Sequence, residues 1–263
     1  ENTRFTEFEN CLVTPHLGAS TREAQIDVAV EAARNLVDAI KGGPVRNALN
    51  APSTAGAMPP IVGQYAELAR RIGTLVSTIA PGRIKDVDVQ YRGSIAELAV
   101  EPVTLHFAIG LLRQHFDMPL NMVNVGVLAK ERGISIDETK NTEAKDVAAS
   151  FSAKVVTDKV TRTVTGSVFG GTLLRIIEID GFNIEMTPQG AVLVIFNDDK
   201  PGVIGVVGTV CGKHNINICT MGVGQKPAEQ KAILAVSLDK EPGAEVIQEI
   251  SKLDFVNEIY VCK

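Results

Sequence analysis

The stretch Asn197-Asp198-Asp199-Lys200-Pro201-Gly202 carries residue types that can hold a zwitterion. It joins an apolar, strand-like run at 192–196 to a helix-like run of small residues at 203–211. A helix opened by Pro-Gly leaves its first backbone N–H groups without intrahelical partners, and those amides, with the positive end of the helix dipole, suit a carboxylate. Asn197 and Asp199 can accept from an ammonium group. The candidate effector site is therefore Asn197, Asp199, Gly202 and the following Val203 and Ile204, and the ligand class it suggests is an amino acid. An ordinary strand-to-helix turn with an Asp cap would use the same residues.

A second candidate is His16. The run Cys11-Leu12-Val13-Thr14-Pro15-His16 places an imidazole just past what reads as a short apolar strand, and a group with a near-neutral pKa can exchange a proton with substrate. Ser20-Thr21-Arg22-Glu23 is a cap signal opening a helix over 20–41, with Ala24, Val28, Ala32, Leu36 and Ile40 on its stripe. A histidine satisfied by its neighbours would read the same. The four cysteines (Cys11, Cys211, Cys219, Cys262) show no C-x-x-C spacing and the four histidines (His16, His106, His115, His214) form no ligand motif with them, so a reducing cytoplasm and no metal are expected. The glycine cluster Gly202-x-x-Gly205-x-x-Gly208 lacks the dinucleotide spacing, and no acidic residue follows about 20 positions on at a second strand end. It reads as tight helix packing, and no cofactor is expected in this chain.

The elements that must position these residues fall into an α+β, multi-domain order. After the 197–202 turn come a helix, two alternating apolar runs at 218–223 and 232–238, an amphipathic helix at 241–253 and a strand at 255–262. Strand, helix, strand, strand, helix, strand predicts a ferredoxin-like βαββαβ module. Between Pro52 and Pro188 lie about 135 residues, enough for a domain of their own. There, helical spacing at 65–79, 102–115 and 121–132 and a strand at 87–91 precede strands at 153–156, 161–169, 173–179 and 182–186, with Asp180-Gly181 as a hairpin turn. The expectation is an antiparallel sheet with helices on one face. Arg175, Arg92 and Arg162, on half-buried strands, read as surface side chains that snorkel to water.

At 263 residues and 45% hydrophobic content, with no apolar run near 18 residues, the chain is expected to be soluble, with no membrane partner. Its net charge of −5, scattered Lys and Arg, and only 5% aromatics give nucleic-acid binding no support.

Two motif sets resemble known families. Residues 189–263, with Asp199-x-Pro201-Gly202 after the first strand and Asn215-Ile216-Asn217-Ile218 entering the second, resemble the ACT regulatory domain. That resemblance implies amino-acid contacts from the turn and from Asn217, across a self-associated pair of modules. Thr14-Pro15-His16-x-Gly18-x-x-Thr21-x-Glu23-Ala24 is similar to the catalytic-histidine segment of the D-2-hydroxyacid dehydrogenases, which implies an acid/base role for His16. That family carries its orienting glutamate and its nucleotide-binding turn well upstream, so a C-terminal piece of a longer enzyme is expected.

Together the motifs resemble the C-terminal region of the D-3-phosphoglycerate dehydrogenase family in its long form, with Val89-Gln90-Tyr91-Arg92-Gly93 and Gly166-Ser167-Val168-Phe169-Gly170-Gly171 similar to segments of its intervening, allosteric substrate-binding domain. The resemblance implies 1–52 as the end of the catalytic domains with a crossover helix, 53–188 as the intervening domain and 189–263 as the ACT domain. It implies an intact cytoplasmic homo-oligomer that oxidises 3-phosphoglycerate to 3-phosphohydroxypyruvate with NAD in serine biosynthesis, sensing L-serine or another amino acid. The piece alone is expected to be inactive. Some members hold an anion near the last hairpin of the intervening domain, where Arg175 stands here beside Phe182 and Thr187 rather than further basic residues. In that family helix 20–41 crosses between domains and 44–50 finishes the catalytic part; without its partners the helix is expected to pack on another copy, swap or fray. Two alternatives stay open: a free-standing amino-acid-binding regulatory protein without catalysis, and the iron–sulfur serine dehydratase group, which would need cluster cysteines.

Overall fold

The computed structural model describes residues 7–41 and 58–262. The chain divides into two compact units, Glu1–Ala51 and Pro52–Lys263. In the first, α1 (Arg22–Ile40) begins where the cap signal places it, with the Ala24 amide donating to Thr21 Oγ1 at 3.1 Å. None of its residues is buried, and Ile26, Val28, Leu36 and Ile40 all face solvent. The strand expected before His16 does not form: residues 11–14 have no regular structure, and an extended segment has no ladder to stabilise it without a neighbouring strand. Segment 44–50 and the 52/53 boundary lie outside the described residues.

The second unit opens with α2 (Pro60–Ile79), whose Pro at the first helical position costs no hydrogen bond. It is followed by β1 (Ile84–Gly93), α3 (Glu101–Leu112), α4 (Val125–Glu131), β2 (Ile136–Asn141), β3 (Ala149–Thr157), β4 (Thr161–Phe169), β5 (Leu173–Ile179) and β6 (Phe182–Met186). These strands form one sheet in the order β2-β1-β3-β4-β5-β6. The sheet is mixed rather than antiparallel throughout, because β2 runs parallel to β1 at one edge. The helix expected over 121–132 is shorter, since the Asn121 carboxamide accepts from the Val123 and Asn124 amides and holds a turn there instead.

Helix α2 packs a continuous buried stripe (Tyr65, Leu68, Ile72, Val76, Ile79) against the sheet, and Tyr65 donates to the Ala149 carbonyl at 2.8 Å. Its crossing with α3 depends on two glycines: a Cβ at Gly73 would collide with the Phe107 carbonyl, and one at Gly110 with the Arg70 carbonyl. Phe151 links the layers, with ring centroids 5.3 Å from Tyr91 and 5.6 Å from Phe107.

The remaining elements are β7 (Ala191–Asp198), α5 (Val203–Lys213), β8 (Ile218–Lys226), β9 (Lys231–Leu238), α6 (Ala244–Ser251) and β10 (Val256–Cys262). Helix α6 starts after Pro242-Gly243, later than the expected 241. The four strands lie in the order β10-β7-β9-β8, every neighbouring pair antiparallel. Both faces of this sheet are covered, as the near-continuous burial of β7 and β9 requires. Leu193, Ile195, Leu234 and Val236 face α5 and α6, through Val207, Val210, Val246 and Ile250. The other face (Val192, Val194, Phe196, Ile233, Ala235) belongs to the core built by α2 and the six-stranded sheet. Strand β6 approaches β8 over Gly222 and Gly224, where an added Cβ would lie 2.7 Å from the carbonyl oxygens of Glu185 and Asn183 respectively.

Candidate functional site

The candidate turn begins at the C-terminal end of β7. Asn197 is 1% exposed; its Nδ2 donates to the Asp198 carbonyl at 2.7 Å, and its Oδ1 is buried with no partner among the described residues. It braces the turn from inside the sheet end. Asp198 accepts from Lys231 Nζ at 2.7 Å and Asn257 Nδ2 at 3.3 Å and lies 3.4 Å from Lys200 Nζ. The Lys231 and Asn257 hydrogen bonds hold its carboxyl below the usual range. Asp199 is fixed differently: Gln225 Nε2 on β8 bridges both its carboxylate oxygens at 3.0 and 3.1 Å, and its amide donates to the Gln230 carbonyl. A surface hollow of about 270 Å³ is lined by Asp198, Asp199, Lys200, Glu229, Gln230 and Lys231.

Gly202 takes the left-handed conformation (φ 92°) as the N-cap of α5 and makes no side-chain cap hydrogen bond, so among the described residues nothing caps the first-turn amides of Val203 and Ile204. Val203 is buried and Ile204 half exposed. One turn thus brings together Asn197, Asp199, Gly202, Val203 and Ile204.

Asn217 is elsewhere. It is exposed just before β8, where Ile218 pairs with Leu238, whereas Asp198 pairs with Lys231 at the far end of β9. The length of β9 separates them, roughly 23 Å at about 3.3 Å per residue. The Asn217 amide donates to Asp239 Oδ1 at 2.9 Å, fixing this corner.

His16 is exposed in the first unit. Arg175 lies on β5, where its Nη1 donates to the Leu174 carbonyl at 2.9 Å and its Nε is 3.5 Å from Glu185 Oε1. Phe182, near it in sequence, is buried under Lys226, whose Nζ is 4.6 Å from the ring centroid. Among the described residues no three His, Cys, Asp or Glu side chains gather as around a metal ion.

Arg162 is the residue that sequence reasoning misplaced. It is 6% exposed rather than a snorkelling surface group. Its Nε donates to the Ile79 carbonyl and its Nη1 to Asp180 Oδ2, both at 2.9 Å, its Nη2 pairs with Glu258, and its Cζ sits 4.3 Å from the Phe196 ring centroid. A charge can be buried only when its donors are satisfied, and Arg162 recruits partners from both sheets to do so. The available signal was parity: on β4 Arg162 shares the inward face with Val164 and Gly166.

A nicotinamide nucleotide does not fit these residues. The dinucleotide turn needs a parallel βαβ crossover, but β7 is flanked by β10 and β9, both antiparallel to it.

Residues 61–180, which span α2 to the β5–β6 turn, match the family described as the D-3-phosphoglycerate dehydrogenase intervening domain. Nearly all of the chain is also similar to proteins named D-3-phosphoglycerate dehydrogenase: 36% identical over 99% of this chain in Synechocystis, 38% over 92% in Bacillus subtilis and 35% over 97% in Archaeoglobus fulgidus. The alignments take in 47%, 46% and 49% of those proteins, so the chain spans about half the length of the curated relatives it matches. By these similarities the chain resembles about half of a D-3-phosphoglycerate dehydrogenase. No helix among the described residues is long and apolar enough to cross a membrane.

Proposed function

We propose that this chain is the C-terminal, regulatory region of a D-3-phosphoglycerate dehydrogenase, in which an intervening domain (53–188) precedes an ACT-type module (189–263) that binds L-serine. The oxidation of 3-phosphoglycerate with NAD belongs to domains outside it, and His16 contributes the acid/base group when they are present. The strand order β10-β7-β9-β8 with α5 and α6 on one face supports a ferredoxin-like module.

The observation that carries the reading is the N-terminus of α5, without a side-chain cap, in the same turn as the Asp199 carboxylate, which together offer opposite poles to a zwitterion. The remote position of Asn217 supports a site shared between two chains. Strand β8 is a sheet edge, with Gln225, bound to Asp199, near one end and Asn217 just before the other. Antiparallel pairing of β8 with its copy in a second chain would carry Asn217 of the partner subunit toward Asp199, completing a site that one chain leaves half built.

Calorimetry with L-serine tests the site. A charge-assisted hydrogen bond is worth roughly 1.5–3 kcal/mol, so Asp199→Ala is expected to weaken binding about 10–150-fold and Asn217→Ala, a neutral partner, less. Sedimentation should show serine tightening the dimer by mass action. Full-strength binding by Asp199→Ala would return the turn to a purely structural role, and an association state indifferent to bound serine would exclude the shared site.

A further inference from the structure

We infer that Arg162 couples the amino-acid turn to the intervening domain, so that a change at Asp198 alters how firmly β4 and the β5–β6 turn are held. The physiological trigger rests on the reading of the turn given above, while the coupling itself is a property of the unliganded fold.

The connection runs through a β-bulge. The pairing of β10 with β7 shifts register between Val256 and Glu258, leaving Asn257 as the extra residue. A bulge re-aims neighbouring side chains. Asn257 consequently reaches Asp198 with Nδ2 at 3.3 Å and accepts from Lys231 Nζ at 2.6 Å. Glu258, the next residue, turns the other way to Arg162, and Tyr260 donates to the same carboxylate oxygen at 2.6 Å. A second route is covalent: Phe196, on which the guanidinium lies, is two residues before Asp198 on β7.

On its far side Arg162 holds the intervening domain. Asp180 takes Arg162 Nη1 on one oxygen and the Thr163 amide on the other at 2.7 Å, and its own amide donates to the Thr163 carbonyl at 2.8 Å. The Ile79 carbonyl, an orphan acceptor at the end of α2, is satisfied by Arg162 Nε. A buried guanidinium cannot lose one anionic partner without a large penalty, so displacement of Glu258 must be answered by movement at Asp180 and Ile79. A ligand ammonium competing for the carboxylates of Asp198 and Asp199 would release Lys231 and Asn257, shift the bulge and displace Glu258.

The test is hydrogen exchange at the Thr163 and Asp180 amides of this chain, in Asn257→Ala, Arg162→Met and the double variant. Each single variant is expected to raise exchange there by about fivefold or more, the lower end of typical coupling between sites, and the double variant by no more than the larger single effect. Multiplication of the two effects, or no change in Asn257→Ala, would overturn the coupling whatever serine does. If Arg162→Met does not fold, Glu258→Gln takes its place, keeping the shape and removing the charge. A second arm adds saturating L-serine: exchange at Thr163 and Asp180 should change in the parent and not in Arg162→Met, with calorimetry confirming that both bind. A parent that binds serine without change at these amides also overturns the inference. Absence of serine binding together with a non-multiplicative cycle would sink the ligand assignment alone and leave the coupling standing.

Discussion

Replacement of Gly222 by alanine tests whether the two sheets of the second unit share one core. The new Cβ would lie 2.7 Å from the Glu185 carbonyl oxygen and 2.9 Å from Ile184 Cγ1. The first is a backbone atom of β6 and cannot rotate away, so β6 must shift from the four-stranded sheet. Overpacking of this kind costs roughly 1–3 kcal/mol. Against it stands the gain from removing a glycine in a strand interior, roughly 0.5–1 kcal/mol. The net expectation is a loss of about 0.5–2 kcal/mol, or a drop of a few degrees in Tm for a unit of this size. Gly224→Ala meets the Asn183 carbonyl at the same 2.7 Å, and the pair should cost less than the sum of its parts, because one displacement of β6 relieves both. Gly126→Ala, on α4 with no described residue near its Cβ position, is the control and should be neutral or stabilising by up to about 1 kcal/mol. Urea denaturation of all four variants with an unchanged slope gives the comparison. A Gly222→Ala protein as stable as its parent would refute the close approach of β6 to β8.

Two further outcomes follow from the charges and the site. The Arg70 hydrogen bond, with a second from Arg71, holds the Glu67 carboxyl at about 2 rather than its ordinary 4.5; since its folded value is depressed, the stability it contributes is present above 4.5 and lost as pH falls toward 2, so Glu67→Gln should be less stable than the parent at neutral pH with the gap closing over that window in acid titrations followed by circular dichroism. The chain with 3-phosphoglycerate and NAD should yield no NADH above background, because an acid/base group contributes its typical 10²–10⁴-fold only against a positioned substrate and cofactor; measurable turnover would overturn the division of labour proposed for His16.

What the sequence disclosed follows from which signals are local. The strands at 161–169, 173–179 and 182–186 match β4, β5 and β6 at both ends because strong turn chemistry bounds them. Asp180 (φ 48°) and Gly181 (φ 78°) both adopt the left-handed conformation that an Asp-Gly hairpin uses. Likewise Pro201-Gly202 fixed the start of α5. By contrast β2 reads Ile-Asp-Glu-Thr-Lys-Asn, a polar edge strand with no alternation to detect, whose parallel pairing with β1 is a tertiary fact. The turn's residues were legible as a group because they are contiguous, but the opposite placement of Asn217 needed the strand register. Arg162 and the Gly222/Gly224 pair were missed for one reason: their roles depend on a surface brought to them by the other sheet. Period-two parity hinted at both, since each occupies the inward face of its strand.

The core common to α2, the six-stranded sheet and β7, β9 and β10 limits what evolution or an engineer can exchange. Modules joined by a linker can be transplanted, because each brings a finished exterior. Here the last 75 or so residues present Val192, Val194, Phe196, Ile233 and Ala235 to α2 and β6 as an unfinished interior. A homologous segment grafted in place of β7 to β10 would have to arrive with a matching apolar face, with glycines where β6 descends, and with an acid opposite Arg162. The two parts are therefore bound to diverge in step, each substitution on one side setting the terms for the other.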